Sequence, residues 1–148
     1  MTDKNKGTSK KEIIGYIILI LFVFLAAQHL SAVVSGSMEP SFYRGDIVVL
    51  EKTSLFGLEE FSPDDVKVGD IIVYDSTGAW NKGDVIHRVI DIQNINGTTL
   101  YVTKGDHNPV HDPFPVSSNQ IKDRVITIGD SPLIIPKVGY FSLWIKGL

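Results

Sequence analysis

The chain has 148 residues, enough for one compact domain with an appendage. It contains no cysteine, which excludes disulfide bonds, thiolate chemistry and a cysteine-ligated zinc site. Its formal net charge of −3 argues against a nucleic-acid-binding surface, because such surfaces need clustered lysine and arginine.

A long apolar segment lies near the N-terminus. No charged residue occurs between Ile13 and Ala27, and apolar residues resume after Gln28 and His29, so that the segment runs over 13–34. As a helix rising about 1.5 Å per residue, such a segment would cover the roughly 30 Å hydrocarbon core of a bilayer. The sequence therefore predicts a single transmembrane anchor.

The residues around this segment predict its orientation and the domain limits. Four lysines and two acids precede it, and excess positive charge is typical of the cytoplasmic side. We expect a cytoplasmic segment over 1–12, the anchor over 13–34 and an extracytoplasmic domain over 35–148. Two alternatives stay open: a cleavable secretion signal, although its apolar core usually has about 7–15 residues, and a buried core helix, although no amphipathic stripe is visible.

The rest of the chain has the pattern of a mainly β domain. Short runs rich in β-branched residues are bounded by Gly, Asp, Asn or Pro. No helical stripe separates them, which argues against βαβ units and a parallel sheet. We expect strands over Asp46–Leu50, Asp70–Tyr74, Val85–Ile92, Thr99–Thr103 and Arg124–Ile128.

Two other segments are less regular. Leu55–Asp65 carries acids and a proline and predicts a loop with one short helical turn. Leu133–Leu148 is apolar and aromatic but is interrupted by Pro136 and Gly139. We expect a final strand there, followed by a segment at the membrane interface, where Tyr and Trp are enriched.

The pair Asn96-Gly97 predicts a tight hairpin. It favours a type I′ turn, since both central residues of that turn need positive φ. A two-residue hairpin at this point would place His87 directly opposite Asp106, on the same face of the sheet. A bulge would break this pairing.

A candidate nucleophile follows the apolar segment. Ser37 lies in a tight turn after Gly36, and Ser35 could direct its hydroxyl at the same small volume. A serine hydroxyl becomes a useful nucleophile when a neighbouring base removes its proton, and Ser35 together with the Ser37 N–H could form an oxyanion hole. In isolation, a Ser-Gly-Ser sequence after a helix is usually only a turn or cap.

His87 is the candidate base, although a histidine among apolar neighbours is more often a satisfied core residue. A nearby carboxylate would fix its tautomer and stabilise the imidazolium. Downstream, the stretch from Gly105 to Asp112 holds two aspartates and also His107 and His111. It could orient His87, hold a metal or form a solvated loop; Pro109 makes a helical metal site improbable.

Taken together, these motifs resemble the type I signal peptidases of the archaeal and endoplasmic-reticulum kind, a group also found in some spore-forming bacteria. The likeness runs from the apolar segment nearly to the C-terminus, in the family's order and spacing. The matching pieces are Ser35-Gly36-Ser37-Met38-Glu39-Pro40, Arg44-Gly45-Asp46, Gly69 to Val73, Val85 to Val89, and Thr103 to Asn108 with Asp112.

The resemblance implies a serine endopeptidase with no cofactor or metal, built on a small antiparallel sheet or partly open barrel. Ser37 would be the nucleophile, Ser35 an oxyanion-hole donor and His87 the general base. The family's third residue matches Asp112, whereas the hairpin pairing points to Asp106, which we keep as a close structural or electrostatic partner. A lysine base would need Lys82 or Lys104, and neither stands at the family's base position.

The implied substrates are signal-peptide-bearing preproteins, cut after small residues at a bilayer surface, with any further subunits left open. A membrane-tethered β-domain that binds or scaffolds a partner is the non-enzymatic alternative. A self-cleaving repressor is a second enzymatic alternative, but the chain has no basic or helix-turn-helix segment for DNA.

Overall fold

The structure is a computed structural model that describes residues 9–58, 60–76 and 83–147. The chain forms two compact units, Met1–Leu30 and Ser31–Leu148. In the first unit, helix α1 spans Lys10–Ala27. A capping box starts it: Ser9 Oγ accepts from the Glu12 N–H, and the Glu12 carboxylate accepts from the Ser9 N–H.

Helix α1 is shorter than the predicted helix over 13–34, which was wrong beyond Ala27. Gln28 caps the helix, His29 Nδ1 donates to the Leu25 carbonyl at 3.1 Å, and residues 30–32 form a strand. Residues 30–32 are therefore used in β pairing, and the helix does not extend to Val34. No residue of α1 is buried. Within the described ranges, we find no helix with both the length and the apolarity required to cross a membrane.

The second unit is mainly β, as predicted. The strand pairs whose residue-by-residue register is defined are all antiparallel. The described strands are β1 (Leu30–Ala32), β2 (Ile47–Lys52), β3 (Ile71–Asp75), β4 (Asp84–Ile95), β5 (Thr98–Lys104), β6 (Val116–Ser117), β7 (Ile121–Val125), β8 (Thr127–Ile128), β9 (Ser131–Pro132) and β10 (Ile134–Ile135). The main sheet has the order β1-β2-β7-β3-β4-β5-β6, with β10 also paired to β2, and β8 pairs separately with β9.

The predicted elements are present with two differences. The strand expected over Arg124–Ile128 is divided between β7 and β8, which belong to different sheets. The loop over Leu55–Asp65 contains its short helical turn, a 3₁₀ turn at Pro63–Asp65. After β10, the C-terminal segment forms a second helix, α2, over Gly139–Lys146.

The core lies on both faces of the sheet, with β3 at its centre. Four consecutive β3 residues, Ile71 to Tyr74, are buried, because alternate side chains enter different apolar clusters. Ile72 and Tyr74 pack in one cluster and Ile71 and Val73 in the other. Ile72 pairs with His87 on β4, so this register fixes the height of the histidine in the sheet.

The predicted hairpin at Asn96-Gly97 is confirmed, but its register changes before it reaches His87. Both turn residues have positive φ, 54° and 80°, and Ile95 pairs with Thr98. A bulge between Val89 and Asp91 leaves Ile90 as an extra residue, so that Arg88 pairs with Lys104. The prediction that His87 lies opposite Asp106 is therefore wrong, and continuing the shifted register brings His87 level with Gly105.

Candidate active site

Ser37 lies in a turn held by buried apolar side chains on its C-terminal side. Met38 and Phe42 are 2% and 0% exposed and belong to a core cluster, whereas Ser35 is exposed and Ser37 half-buried. The Ser37 carbonyl accepts the His107 N–H at 2.9 Å, which ties this turn to the loop after β5. The two hydroxyl oxygens of Ser35 and Ser37 are 3.3 Å apart.

The imidazole of His87 lies between a hydroxyl and a carboxylate. Its Nε2 is 3.2 Å from Ser37 Oγ, and its Nδ1 is 2.7 Å from Asp112 Oδ2. The residue is only 3% exposed. Nδ1 donates to the carboxylate, which leaves Nε2 as an acceptor for the serine hydroxyl. The structure thus brings together Ser37, His87 and Asp112, the set that the resemblance implies.

Asp112 is buried but well supplied with donors. Its Oδ2 accepts hydrogen bonds from Tyr74 Oη at 2.8 Å and Thr103 Oγ1 at 2.6 Å as well as from His87. Burial would raise the pKa of the Asp112 carboxyl, but the hydrogen bonds from His87, Thr103 and Tyr74 and the electrostatic attraction of His87 together outweigh burial. The pKa is therefore lowered from its ordinary value. The carboxylate is therefore ionised at neutral pH.

Asp106 belongs to a separate ion pair. Its two carboxylate oxygens accept from Arg88 Nε at 2.8 Å and Arg88 Nη2 at 2.7 Å, and Oδ2 also accepts from Ser41 Oγ. Burial opposes ionisation, but Arg88 and Ser41 offset it, so the pKa of the Asp106 carboxyl is lowered. Arg88 also donates to the Gly69 carbonyl at 2.8 Å. Asp106 thus joins the Ser41 turn to β4.

Gly105 lies where the elements of the site meet. A Cβ built at this position would be 2.6 Å from the Ser37 carbonyl oxygen and 2.9 Å from His87 Nε2. It would also be 2.7 Å from Asn108 Nδ2. Because real Cβ atoms essentially never come so close, only glycine lets the serine turn and the imidazole approach each other here.

An open groove of about 490 Å³ runs past Ser37 and His87. Short and apolar side chains line much of it, among them Ala32, Val34 and Ile86. Edge strand β1 and the residues that follow it contribute one wall. The groove therefore offers an extended peptide both a main-chain edge and shallow side-chain contacts.

Two of the other residues considered above, Lys104 and His111, make their contacts away from the Ser37 hydroxyl. Lys104 is on β5 opposite Arg88, and Lys82 lies outside the described residues. His111 Nδ1 is bonded to the Asp112 carbonyl at 2.7 Å. Among the described residues, no group of three or more His, Asp or Glu side chains is arranged to hold a metal ion.

Sequence reasoning missed the hydroxyls of Tyr74 and Thr103 on Asp112 and the partners of Asp106. Arg88 and Thr103 belong to the motifs Val85–Val89 and Thr103–Asn108, but the motifs do not indicate that Arg88 contacts Asp106 or that Thr103 contacts Asp112. The strand order would have indicated the contacts of Tyr74 and Thr103, since these residues lie on β3 and β5, the two strands next to β4.

Comparison with known proteins identifies the family of the chain. Residues 8–123 match the family described as signal peptidase, peptidase S26. An uncharacterized protein of Methanocaldococcus jannaschii is 34% identical, with 86% of this chain and 88% of that protein covered. No solved structure matches.

Two fungal relatives are named as the signal peptidase complex catalytic subunit SEC11. That of Scheffersomyces stipitis is 34% identical over 76% of this chain and 63% of its own length, and that of Lachancea thermotolerans is 34% identical over 77% and 64%. The chain thus spans slightly less than two thirds of either fungal protein. It belongs to the peptidase S26 family of signal peptidases, which are hydrolases, and within that family to the archaeal and endoplasmic-reticulum type.

Proposed function

We propose that this chain is a membrane-bound serine endopeptidase that removes signal peptides by a Ser37–His87–Asp112 mechanism. The observation that carries the proposal is the continuous series of contacts from Ser37 Oγ to His87 Nε2 at 3.2 Å and from His87 Nδ1 to Asp112 Oδ2 at 2.7 Å. Nucleophile, base and orienting carboxylate stand in the order that acyl transfer needs.

In this mechanism His87 accepts the Ser37 proton as Oγ attacks the scissile carbonyl carbon. Asp112 holds the imidazole in the tautomer whose Nε2 faces the serine, and its charge stabilises the imidazolium. The imidazolium then protonates the leaving amine. A water molecule, deprotonated by His87, hydrolyses the acyl-enzyme and frees Ser37.

Ser35 is the proposed side-chain donor of the oxyanion hole. Its hydroxyl oxygen lies 3.3 Å from Ser37 Oγ, so it can reach the carbonyl oxygen that Oγ attacks. Together with the Ser37 N–H, it would stabilise the charge that develops on that oxygen in the transition state.

The substrate is a preprotein whose cleavage segment lies extended in the groove. The peptide would gain main-chain hydrogen bonds by strand addition beside β1. This wall of the groove is lined by short side chains, those of Ser31, Ala32, Val33 and Val34. Shallow contacts of this kind favour small substrate residues at the first and third positions before the cut.

The lipid bilayer is the second proposed partner, with the N-terminus in the cytoplasm and the catalytic domain outside. The support is the uncharged run 13–27 with lysines before it, and the exposure of its large apolar side chains, such as Ile20 at 68% and Phe22 at 67%. Tethering the enzyme to the membrane that holds its substrates would raise their encounter rate.

Processing of a purified preprotein in detergent and in vesicles tests the proposal. Ser37→Ala and His87→Ala should abolish cleavage, and Asp112→Ala should slow it severely but measurably. The matched control Ser131→Ala, at an exposed serine of β9, should cleave at the wild-type rate. Unimpaired cleavage by Ser37→Ala would overturn the serine mechanism.

A further inference from the structure

Two hydroxyl groups converge on the carboxylate that orients His87. Tyr74 Oη is 2.8 Å and Thr103 Oγ1 is 2.6 Å from Asp112 Oδ2, the same oxygen that accepts from His87 Nδ1 at 2.7 Å. A carboxylate oxygen has few acceptor positions. Three short bonds to one oxygen therefore fix the carboxylate in rotation as well as in position.

The order of the strands explains this convergence. Strand β4, which carries His87, pairs with β3 on one side and with β5 on the other. Tyr74 comes from β3 and Thr103 from β5, on the sheet face that His87 shares with Ile72 and Val89. Each hydroxyl thus reaches Asp112 from a different side of the strand that presents the base.

Thr103 holds Asp112 at two points. Its carbonyl accepts the Asp112 N–H at 2.8 Å, and its hydroxyl donates to Asp112 Oδ2 at 2.6 Å. The backbone bond sets where the loop residue lies, and the side-chain bond sets where its carboxylate points. Thr103 itself is 0% exposed, so water does not replace this donor.

Tyr74 is protonated at neutral pH and so remains a hydrogen-bond donor. Burial raises the pKa of its phenol far above the ordinary value of about 10. The ring is 1% exposed and packs in the apolar cluster around Ile72 and Val85. The buried ring therefore gives the carboxylate a neutral hydroxyl donor held by apolar packing.

We propose that Tyr74 and Thr103 are positioning residues for the reaction: their hydroxyls hold Asp112 so that His87 Nε2 stays aimed at Ser37 Oγ. This inference rests on the proposed roles of Ser37, His87 and Asp112. Neither hydroxyl residue is among those that line the groove. Their removal should therefore slow the chemical step without weakening substrate binding.

Steady-state cleavage of a preprotein by the full chain in detergent tests this. Tyr74→Phe and Thr103→Val should each lower kcat about tenfold or more, the scale of a hydrogen bond to a charged group, with KM nearly unchanged. Thr103→Ser keeps the hydroxyl and should retain most of the rate. Tyr101→Phe is the matched control, since Tyr101 is 1% exposed and donates to the Pro63 carbonyl instead.

A double-mutant cycle separates positioning from a merely structural role. If the two hydroxyls act through Asp112, Tyr74→Phe and Thr103→Val should cause no further loss of kcat in an Asp112→Ala background. Losses of the same size in both backgrounds would overturn the inference, as would wild-type kcat in both single variants. Thermal unfolding measured on each variant corrects the rate for the folded fraction.

The same experiment keeps this inference apart from the proposed function. A wild-type rate for Asp112→Ala would overturn the mechanism itself, because no orienting carboxylate would then be needed. A slow Asp112→Ala enzyme combined with fully active Tyr74→Phe and Thr103→Val enzymes would refute the positioning roles alone.

Discussion

Replacement of Gly105 by alanine is the sharpest steric test of the site. The new methyl carbon would lie 2.6 Å from the Ser37 carbonyl oxygen and 2.9 Å from His87 Nε2, whereas ordinary contacts begin at 3.4 Å. The serine turn would have to retreat by about 0.8 Å and the imidazole by about 0.5 Å if each moved alone. Either shift would disturb the 3.2 Å contact between Ser37 Oγ and His87 Nε2.

Displacements approaching 1 Å at a reacting group cost about 10²-fold in rate, so Gly105→Ala should lower kcat/KM for a preprotein by about that factor. Gly15→Ala is the matched control, because a Cβ there meets nothing within 4 Å. Circular dichroism would verify that both variants are folded. A folded Gly105→Ala enzyme with wild-type kcat/KM would refute the close approach of the serine turn and the imidazole.

Three other expectations concern the polar residues of the site. Ser35→Ala should lower kcat by about 10²–10³, the usual loss for one oxyanion donor, and an unchanged kcat would remove Ser35 from that role. Asp112→Ala should slow cleavage more than Asp106→Ala, because Asp112 contacts the base and Asp106 contacts Arg88; the opposite ranking would contradict this. The pKa of Asp106 is lower in the folded protein than its value of about 3.9 in the unfolded chain. Ionised Asp106 therefore stabilises the fold at any pH above about 3.9, and this stabilisation is lost as the pH falls through the lowered pKa of the folded state. The melting temperature should thus fall less between pH 7 and pH 2 in Asp106→Asn than in the wild type, and equal falls would contradict the ion pair's contribution.

Local chemistry made part of the fold predictable. The turn at Asn96-Gly97 was recognisable because its positive φ values select those residue types. The strands were recognisable from short β-branched runs between turn formers. The bulge at Ile90 was not, since an extra residue in a strand is set by how the neighbouring strands pack.

The prediction of where α1 ends was wrong for a similar reason. Hydropathy treats the residues before and after Gln28 and His29 alike. In the structure, however, residues 30–32 form β1, and the Val33 N–H donates to the Asp46 carbonyl at 2.9 Å. Apolar character alone does not distinguish a helix from a strand over so few residues.

Only those residues of the site that belong to a recognisable sequence motif could be predicted. Residue reasoning alone selected Ser37 and His87 but paired the histidine with Asp106, whereas the resemblance favoured Asp112, which the structure places beside it. The roles of Tyr74 and Thr103 were not predicted, because their contacts with Asp112 depend on the pairing of three adjacent strands. Contacts between strands that are distant in sequence require the register of each pair.

Covalent labelling of the wild-type chain with an acylating serine inhibitor, mapped by mass spectrometry, probes most directly whether Ser37 and His87 share a proton. A single modification on Ser37 that disappears in His87→Ala is the result expected. Labelling spread over several serines, or undiminished labelling of Ser37 in His87→Ala, would contradict the account.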